Sequence, residues 1–419
     1  MTEVISQRRT RTADTELRRR ARAVIPGGMY GHLSANALPP EYPQFYARAE
    51  RAHVWDVDGN EYVDFMCSFG PVLLGHQHPR VEAAVAAQRA AGDTMSGPGA
   101  AMVEAAELLT DRVAHADWAM FAKNGTDATT ISVMIARAAT GRSKVLAAAG
   151  AYHGSDPWFT PRDPGVTAED RANLRYYRFN DIASVEAAVA AAGGGDHVAA
   201  VIVSPFRHDA GFDEELVDAG FALALRELCD RIGAALIMDE VRAGFRLHDG
   251  GSWEPIGVAP DLSAWSKAIG NGYPLAAVLG EGDYAEAASQ VFVTGSFWYQ
   301  AVPMAAAVAT ITAVRDEGAV PAMVRAGTLL RSGLAEAAAD AGVAITQTGP
   351  VQMPNLSFPG DADYARAAAF CGAAVDHGVI FHPRHNWFLS AAHTDTDVER
   401  AVEAARAGFR AVRERFGDG

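Results

Sequence analysis

The chain is poor in three things, and each shortage removes a class of answers. Its three cysteines, Cys67, Cys229 and Cys371, lie far apart without paired spacing, so neither a disulfide framework nor a zinc knuckle is expected, and a reducing cytoplasm is. Basic charge is in deficit. With 36 Lys and Arg against 51 Asp and Glu, the formal net charge is -15, which argues against nucleic acid or an anionic membrane surface as partner. Long apolar runs are missing as well, so no segment is expected to span a bilayer. Arg8, Arg9, Arg11, Arg18, Arg19, Arg20 and Arg22 are followed by no apolar h-region and are interrupted by Asp14 and Glu16. This stretch reads as an arm leading into a surface helix rather than a targeting peptide.

What is present is an apolar interior: 49% of 419 residues are hydrophobic, enough for a large and a small domain. His53–Asp56 and Glu61–Asp64 flank the turn Val57-Asp58-Gly59-Asn60, where Asp-Gly marks a hairpin in a small antiparallel sheet. From Val81 onward, alanine-rich helical stretches (81–91, 100–114 and 126–139) alternate with short apolar runs (118–122, 145–148 and 198–204). That alternation predicts an α/β fold, with a largely parallel sheet covered by helices on both faces. Residues 303–315 and 320–341 read as long helices leading into a C-terminal α+β domain.

The chemistry concentrates around Lys267 and Asp239. Lys267 lies in Ser266-Lys267-Ala268-Ile269-Gly270-Asn271-Gly272-Tyr273-Pro274, where small neighbours and glycines let an amine reach out of a loop as a nucleophile. Asp239 closes the apolar strand Ala234–Asp239, and a carboxylate there can keep a heterocycle nitrogen protonated. The pair describes an enzyme using pyridoxal 5'-phosphate (PLP). Val241, two residues on, is expected on the same strand face, packed under the cofactor ring. Asn124-Gly125-Thr126-Asp127 follows an apolar strand and opens a helical run, so its amides and the Thr126 hydroxyl would face a phosphate; an ordinary helix cap uses the same residue types. His76, His78, His153, His208, His382 and His385 show none of the spacings of a recognised metal site, and no metal is expected. Gly270-Asn271-Gly272 is no dinucleotide fingerprint.

These motifs, with Pro26-Gly27-Gly28, Trp55–Asn60, Gly75–Pro79, Asp239–Arg246 and Ala392–Asp395, together resemble the class III PLP-dependent aminotransferases, in particular the glutamate-1-semialdehyde aminomutase-like branch. The resemblance implies fold type I, with residues 1–75 joining a small domain 316–419 and a PLP-binding domain over 76–315. It implies that Tyr152, beside His153, stacks on the cofactor, and that His208 or Asp209 contacts its phenolic oxygen. It implies a homodimer in which Ser296, or second Thr294, donates a hydroxyl to the neighbouring chain's phosphate. The activity implied is transfer of an amino group between an amine and a keto or aldehyde acceptor, both small molecules.

Departures bear on the substrate. The branch usually carries a carboxylate-binding arginine soon after Pro-Gly-Gly, whereas this chain reads Met29-Tyr30-Gly31-His32-Leu33-Ser34. Tyr30, His32 and Ser68 are substrate-binding candidates suited to a hydroxylated, aromatic or sugar-like molecule. Arg207, in Ser204-Pro205-Phe206-Arg207-His208-Asp209, and Arg384, in Phe381–Trp387, are the candidate relocated anchors. An aminomutase, epimerase or decarboxylase on the same framework, or a non-catalytic scaffold retaining the fold, are the alternatives.

Overall fold

The computed structural model describes residues 9–34, 38–209 and 212–417. Arg8, in the expected arm, lies outside the described residues. Two compact units emerge from the chain's contacts: one joins the residues up to His78 to those from Pro321 onward, and the other comprises Pro79–Asp209 and Glu214–Val320.

The first unit begins with α1 (Thr12–Val24), then β1 (Tyr46–Glu50), β2 (His53–Asp56) and β3 (Glu61–Asp64). The β2–β3 hairpin forms at Asp58-Gly59, where Gly59 takes a φ of 86°, a conformation that costs glycine nothing. Asp56 fixes the turn by accepting from the Asp58 and Asn60 amides at 3.0 and 2.9 Å. After β3 the chain makes a left-handed turn: Cys67, Ser68 and Phe69 have φ of 46°, 55° and 64°, and Gly70 has 110°. Each non-glycine residue there costs about 1–2 kcal/mol. Asp64 holds the turn, its carboxylate accepting from the Met66 and Cys67 amides at 2.8 and 3.1 Å.

The second unit carries α2 (Pro79–Ala91), α3 (Ala100–Arg112), β4 (Trp118–Ala122), α4 (Gly125–Thr140), β5 (Lys144–Ala148), β6 (Leu174–Tyr177), α5 (Ile182–Ala191), β7 (Val198–Val203), α6 (Ala219–Ile232), β8 (Ala235–Asp239), β9 (Leu262–Trp265), β10 (Ala276–Gly280), α7 (Ala285–Gln290) and α8 (Ala301–Asp316). Its seven strands form one sheet in the order β4-β10-β9-β8-β7-β5-β6. Neighbours from β9 to β6 are parallel, while β10 runs antiparallel to both β4 and β9. Every residue of β7, β8 and β10 is buried, as expected where helices cover both faces. Alternation sorts the side chains: Ala200, Ile202, Ala235 and Ile237 pack with Ala128, Ile131 and Ile135 of α4, while Val201, Val203, Leu236 and Met238 pack with Phe221, Leu225 and Leu228 of α6.

The first unit resumes with α9 (Ala319–Ala341), β11 (Thr346–Thr348), β12 (Asn355–Ser357), α10 (Ala365–Asp376), β13 (Val379–Ile380) and α11 (Asp395–Phe416). Its main sheet is β1-β2-β3-β13. The sheet is mixed rather than purely antiparallel, because β13 returns parallel to β3 after α10. Phe370, Phe381, Trp387 and Phe409 fill the core, with Phe381 and Trp387 stacked at 4.0 Å. No helix among the described residues is long and apolar enough to cross a membrane.

Candidate active site

Five chain segments bring cofactor candidates to one end of the sheet. Register explains the meeting: Asp239 pairs with Ala264 at the ends of β8 and β9, Trp265 with Ala277, and Ala122 with Ala276. The residues leaving these ends therefore emerge side by side. Asn124, Gly125, Thr126, Thr129, Tyr152, His153, Gly154, His208, Asp239, Val241, Arg242 and Lys267 line a cavity of about 200 Å³.

Lys267 starts a short helical turn after β9 with a φ of 45°, strain of a kind retained at functional positions. Its side chain is half-buried. Burial, followed by the Arg242 and Arg246 guanidiniums, pulls its amine down to about 7, against the opposing pull of Asp239. A large share of the amine is thus neutral near pH 7, the form that attacks an aldehyde.

Asp239 is 5% exposed. One carboxylate oxygen lies 2.7 Å from Nδ1 of His153, and the other accepts from the Val241 amide at 3.1 Å. This second bond ends the strand. Val241 consequently sits in a turn rather than on the extended face the sequence reading assumed, although it still lines the cavity and abuts Gly125. His153 is 1% exposed, Thr129 Oγ1 donates to its carbonyl at 2.7 Å, and its Nε2 is buried without a hydrogen-bond partner. Leaving a buried polar atom unpaired costs about 1–3 kcal/mol, so the ring's orientation toward Asp239 is maintained at an energetic expense.

The start of α4 is closed by a capping box. Asn124 accepts from the Asp127 amide at 3.2 Å while Asp127 accepts from the Asn124 and Lys123 amides at 3.0 Å. The ordinary cap is therefore present. Thr126 Oγ1 accepts from the Ser155 amide at 3.1 Å. Gly154, with a φ of 112°, lets its loop approach, since a Cβ there would come within 2.9 Å of Thr126 Oγ1; a Cβ on Gly125 would stand 2.5 Å from Val241. Helix-start residues lining the cavity, a buried carboxylate with its histidine and a lysine of lowered pKa fit a phosphorylated pyridine aldehyde.

The remaining candidates divide between the cavity and the rest of the chain. His208 lines the cavity, and burial with the charges of Arg242 and Lys267 pushes it well below the ordinary histidine range. Asp209 is buried, its carboxyl raised by burial against the opposing pull of Arg207. Arg207 lies outside the cavity lining, its Nε bonded to Asp209 at 3.3 Å. Ser296 and Thr294 are exposed and do not line the cavity. Tyr30, His32, Ser68 and Arg384 belong to the first unit, where Tyr30 is 71% exposed and Arg384 sits over the Tyr364 ring at 5.2 Å. Arg242 and Thr129 were missed by the sequence reading. The Arg242 guanidinium donates to the His208 carbonyl at 2.9 Å, and a cation directly after the Asp-Glu-Val signature was the available signal.

Residues 36–396 match the family model for class III aminotransferases. The chain belongs to that family. An aminopentol aminotransferase of Sphingopyxis macrogoltabida is 48% identical over 97% of this chain and 96% of its own length. A glutamate-1-semialdehyde 2,1-aminomutase of Roseiflexus castenholzii is 35% identical, covering 94% and 96%. Among solved structures, the PLP form of the FumI protein of Sphingopyxis sp. MTA144 superposes with a TM-score of 0.94 at 48% identity, covering 96% of this chain and 97% of that one. The class III assignment makes this chain a fold type I PLP-dependent aminotransferase that passes an amino group between an amino donor and a keto or aldehyde acceptor.

Proposed function

We propose that the donor is a primary amine on a hydroxylated aliphatic chain and the acceptor a small keto acid. The observation that carries the donor class is the segment after Pro26-Gly27-Gly28, where Tyr30 and His32 stand in place of a carboxylate-binding arginine. A donor without a carboxylate needs no guanidinium fork. The aminopentol aminotransferase among the relatives supports the same choice.

PLP supplies an electrophilic aldehyde and an electron-accepting ring. In this reading Lys267 would hold that aldehyde, and its Nζ would be the base that takes a proton from the amine-bearing carbon of the donor. Asp239, oriented by His153, would keep the ring nitrogen protonated, Tyr152 and Val241 would pack on the ring, and His208 or Asp209 would serve the phenolic oxygen. The Gly125 and Thr126 amides, with Asn124 shaping the turn, hold the phosphate. Exposed Ser296, or second Thr294, serves the cavity of a neighbouring chain, which makes a homodimer the active species. Three buried, unbridged cysteines support a cytoplasmic setting.

The test adds donors singly, without acceptor, and follows the cofactor's visible spectrum. Conversion to the pyridoxamine form with release of a carbonyl product supports the proposal. An unchanged spectrum with a rearranged, inverted or decarboxylated product points to an aminomutase, epimerase or decarboxylase and overturns it.

A further inference from the structure

We infer that Trp265 is a positioning residue: its ring, oriented by Ser263 and His115, fixes where Lys267 stands relative to Asp239. The inference rests on the reading above that these two residues hold the cofactor. Trp265 closes β9 two residues before Lys267 and is completely buried. Its six-membered ring lies against the turn that leaves Asp239. A Cβ on Gly244 would stand 2.5 Å from two carbons of that ring, and Phe245 packs on Trp265 with ring centres 4.9 Å apart. The backbone ties the same segments together, since the Glu240 amide donates to the Ala264 carbonyl at 2.9 Å and the Gly244 amide to the Glu240 carbonyl at 2.8 Å. One side chain is thus wedged between the strand end that carries the amine and the turn that follows the carboxylate.

A chain of buried hydrogen bonds holds the wedge. The indole N–H donates to Ser263 Oγ at 2.7 Å, and Ser263 Oγ lies 2.8 Å from His115 Nε2. Alternation along β9 puts Ser263 and Trp265 on one face, opposite Leu262 and Ala264, which pack with α4. An indole nitrogen can only donate, so Oγ accepts from it and turns its own proton to His115. The imidazole can receive that proton because burial pulls it down to about 4, leaving it neutral near pH 7. Apolar side chains in these places would fill the space without the desolvation cost of three polar groups. What the polar chain adds is direction, because it favours one orientation of the indole. That matters at Lys267, whose backbone sits at a strained φ of 45°. Ser266 braces the same turn, its Oγ donating to the Leu275 carbonyl at 2.8 Å.

PLP has no stereocentre, so its visible circular dichroism in the holoenzyme arises from the pose the protein imposes. The signal per bound cofactor is measured in wild type, Trp265→Leu, Trp265→Phe, Ser263→Ala, Gly244→Ala and, as a control in the core beneath α6, Leu228→Ala. The expected result is loss of most of the signal in Trp265→Leu, Ser263→Ala and Gly244→Ala, with the rate of PLP capture by apoenzyme down about tenfold. Trp265→Phe, which restores a ring without the N–H, falls between wild type and Trp265→Leu. Leu228→Ala loses stability but keeps the wild-type signal. Gly244→Ala leaves Trp265 and Ser263 in place, so the wedge can be displaced even where a Trp265 variant does not fold. A wild-type signal and capture rate in the folded variants, or an equal loss in Leu228→Ala, overturns the positioning role. A visible cofactor absorbance unchanged in Lys267→Ala instead overturns the parent reading.

Discussion

At the scale of single residues, the active centre is a matter of where charge is kept out of water. Asp239 is buried and lies 2.7 Å from His153; in the proposed site its replacement by a neutral amide would leave a protonated ring nitrogen without a counter-charge. Losing one partner of a buried pair costs about 3–5 kcal/mol, and Asp239→Asn is expected to lower kcat by about a thousandfold, at roughly 1.4 kcal/mol per decade, in steady-state assays with cofactor saturating. Lys267 offers a pH test. Because its amine titrates at about 7, the rate at which apoenzyme captures PLP, read by stopped-flow absorbance, is expected to rise through pH 7 and level off above it. Arg242→Met removes the largest cationic contribution to that depression and moves the midpoint upward. The same depression, from an ordinary 10.5, means the unfolded chain binds the extra proton between about 7 and 10.5. Apoenzyme stability from this group therefore rises across that window.

At the scale of elements, much was legible because small residues and buried strands leave little choice. The run Val198–Val203 is wholly apolar and can only be an interior strand, and Asn124 with Asp127 announces the start of α4. Lys267 and Asp239 were legible as chemistry, since an amine between glycines and a carboxylate ending an apolar run have few structural reasons to coexist. The Val241 turn was not legible: nothing local distinguishes a strand that continues from one that Asp239 stops by capturing the next-but-one amide. The short β13 and its parallel return to β3 were hidden too, because pairing between residues 63 and 379 leaves no local trace. Gly154 gives the prediction for this scale. Alanine there meets both a φ of 112° and the Thr126 side chain, so Gly154→Ala is expected to weaken PLP binding at least tenfold by fluorescence titration, while Gly165→Ala, a loop glycine whose Cβ would meet nothing, is not.

At the scale of the whole molecule, buried histidines set the acid limit. Burial holds His115, His382 and His393 at about 4, below their ordinary 6.5, so the unfolded chain takes up protons first as pH falls. The stability they contribute is complete above about 6.5 and lost on the way to 4. Glu240 works in the opposite sense, since burial raises it from 4.5 to about 7, and its contribution declines as pH rises between those values. Three groups outweigh one. Denaturant midpoints of the apoenzyme are expected to fall steadily from pH 6.5 to 4.5, and Glu240→Gln, which keeps a neutral side chain at all pH, should steepen that fall. A midpoint that stays flat across this range would contradict the burial of these imidazoles.

The reversed strand β10 has a consequence for how this protein can change. It separates β4 from β9, so the turn carrying Lys267 and the start of α4 are held two strand spacings apart, about 10 Å. In the proposed site that gap would set the reach between the amine and the amides meant for the phosphate. One residue gained or lost within 276–280 would invert which side chains face α4, so insertions should be tolerated in the surface loop at 161–165 long before they are tolerated in this strand.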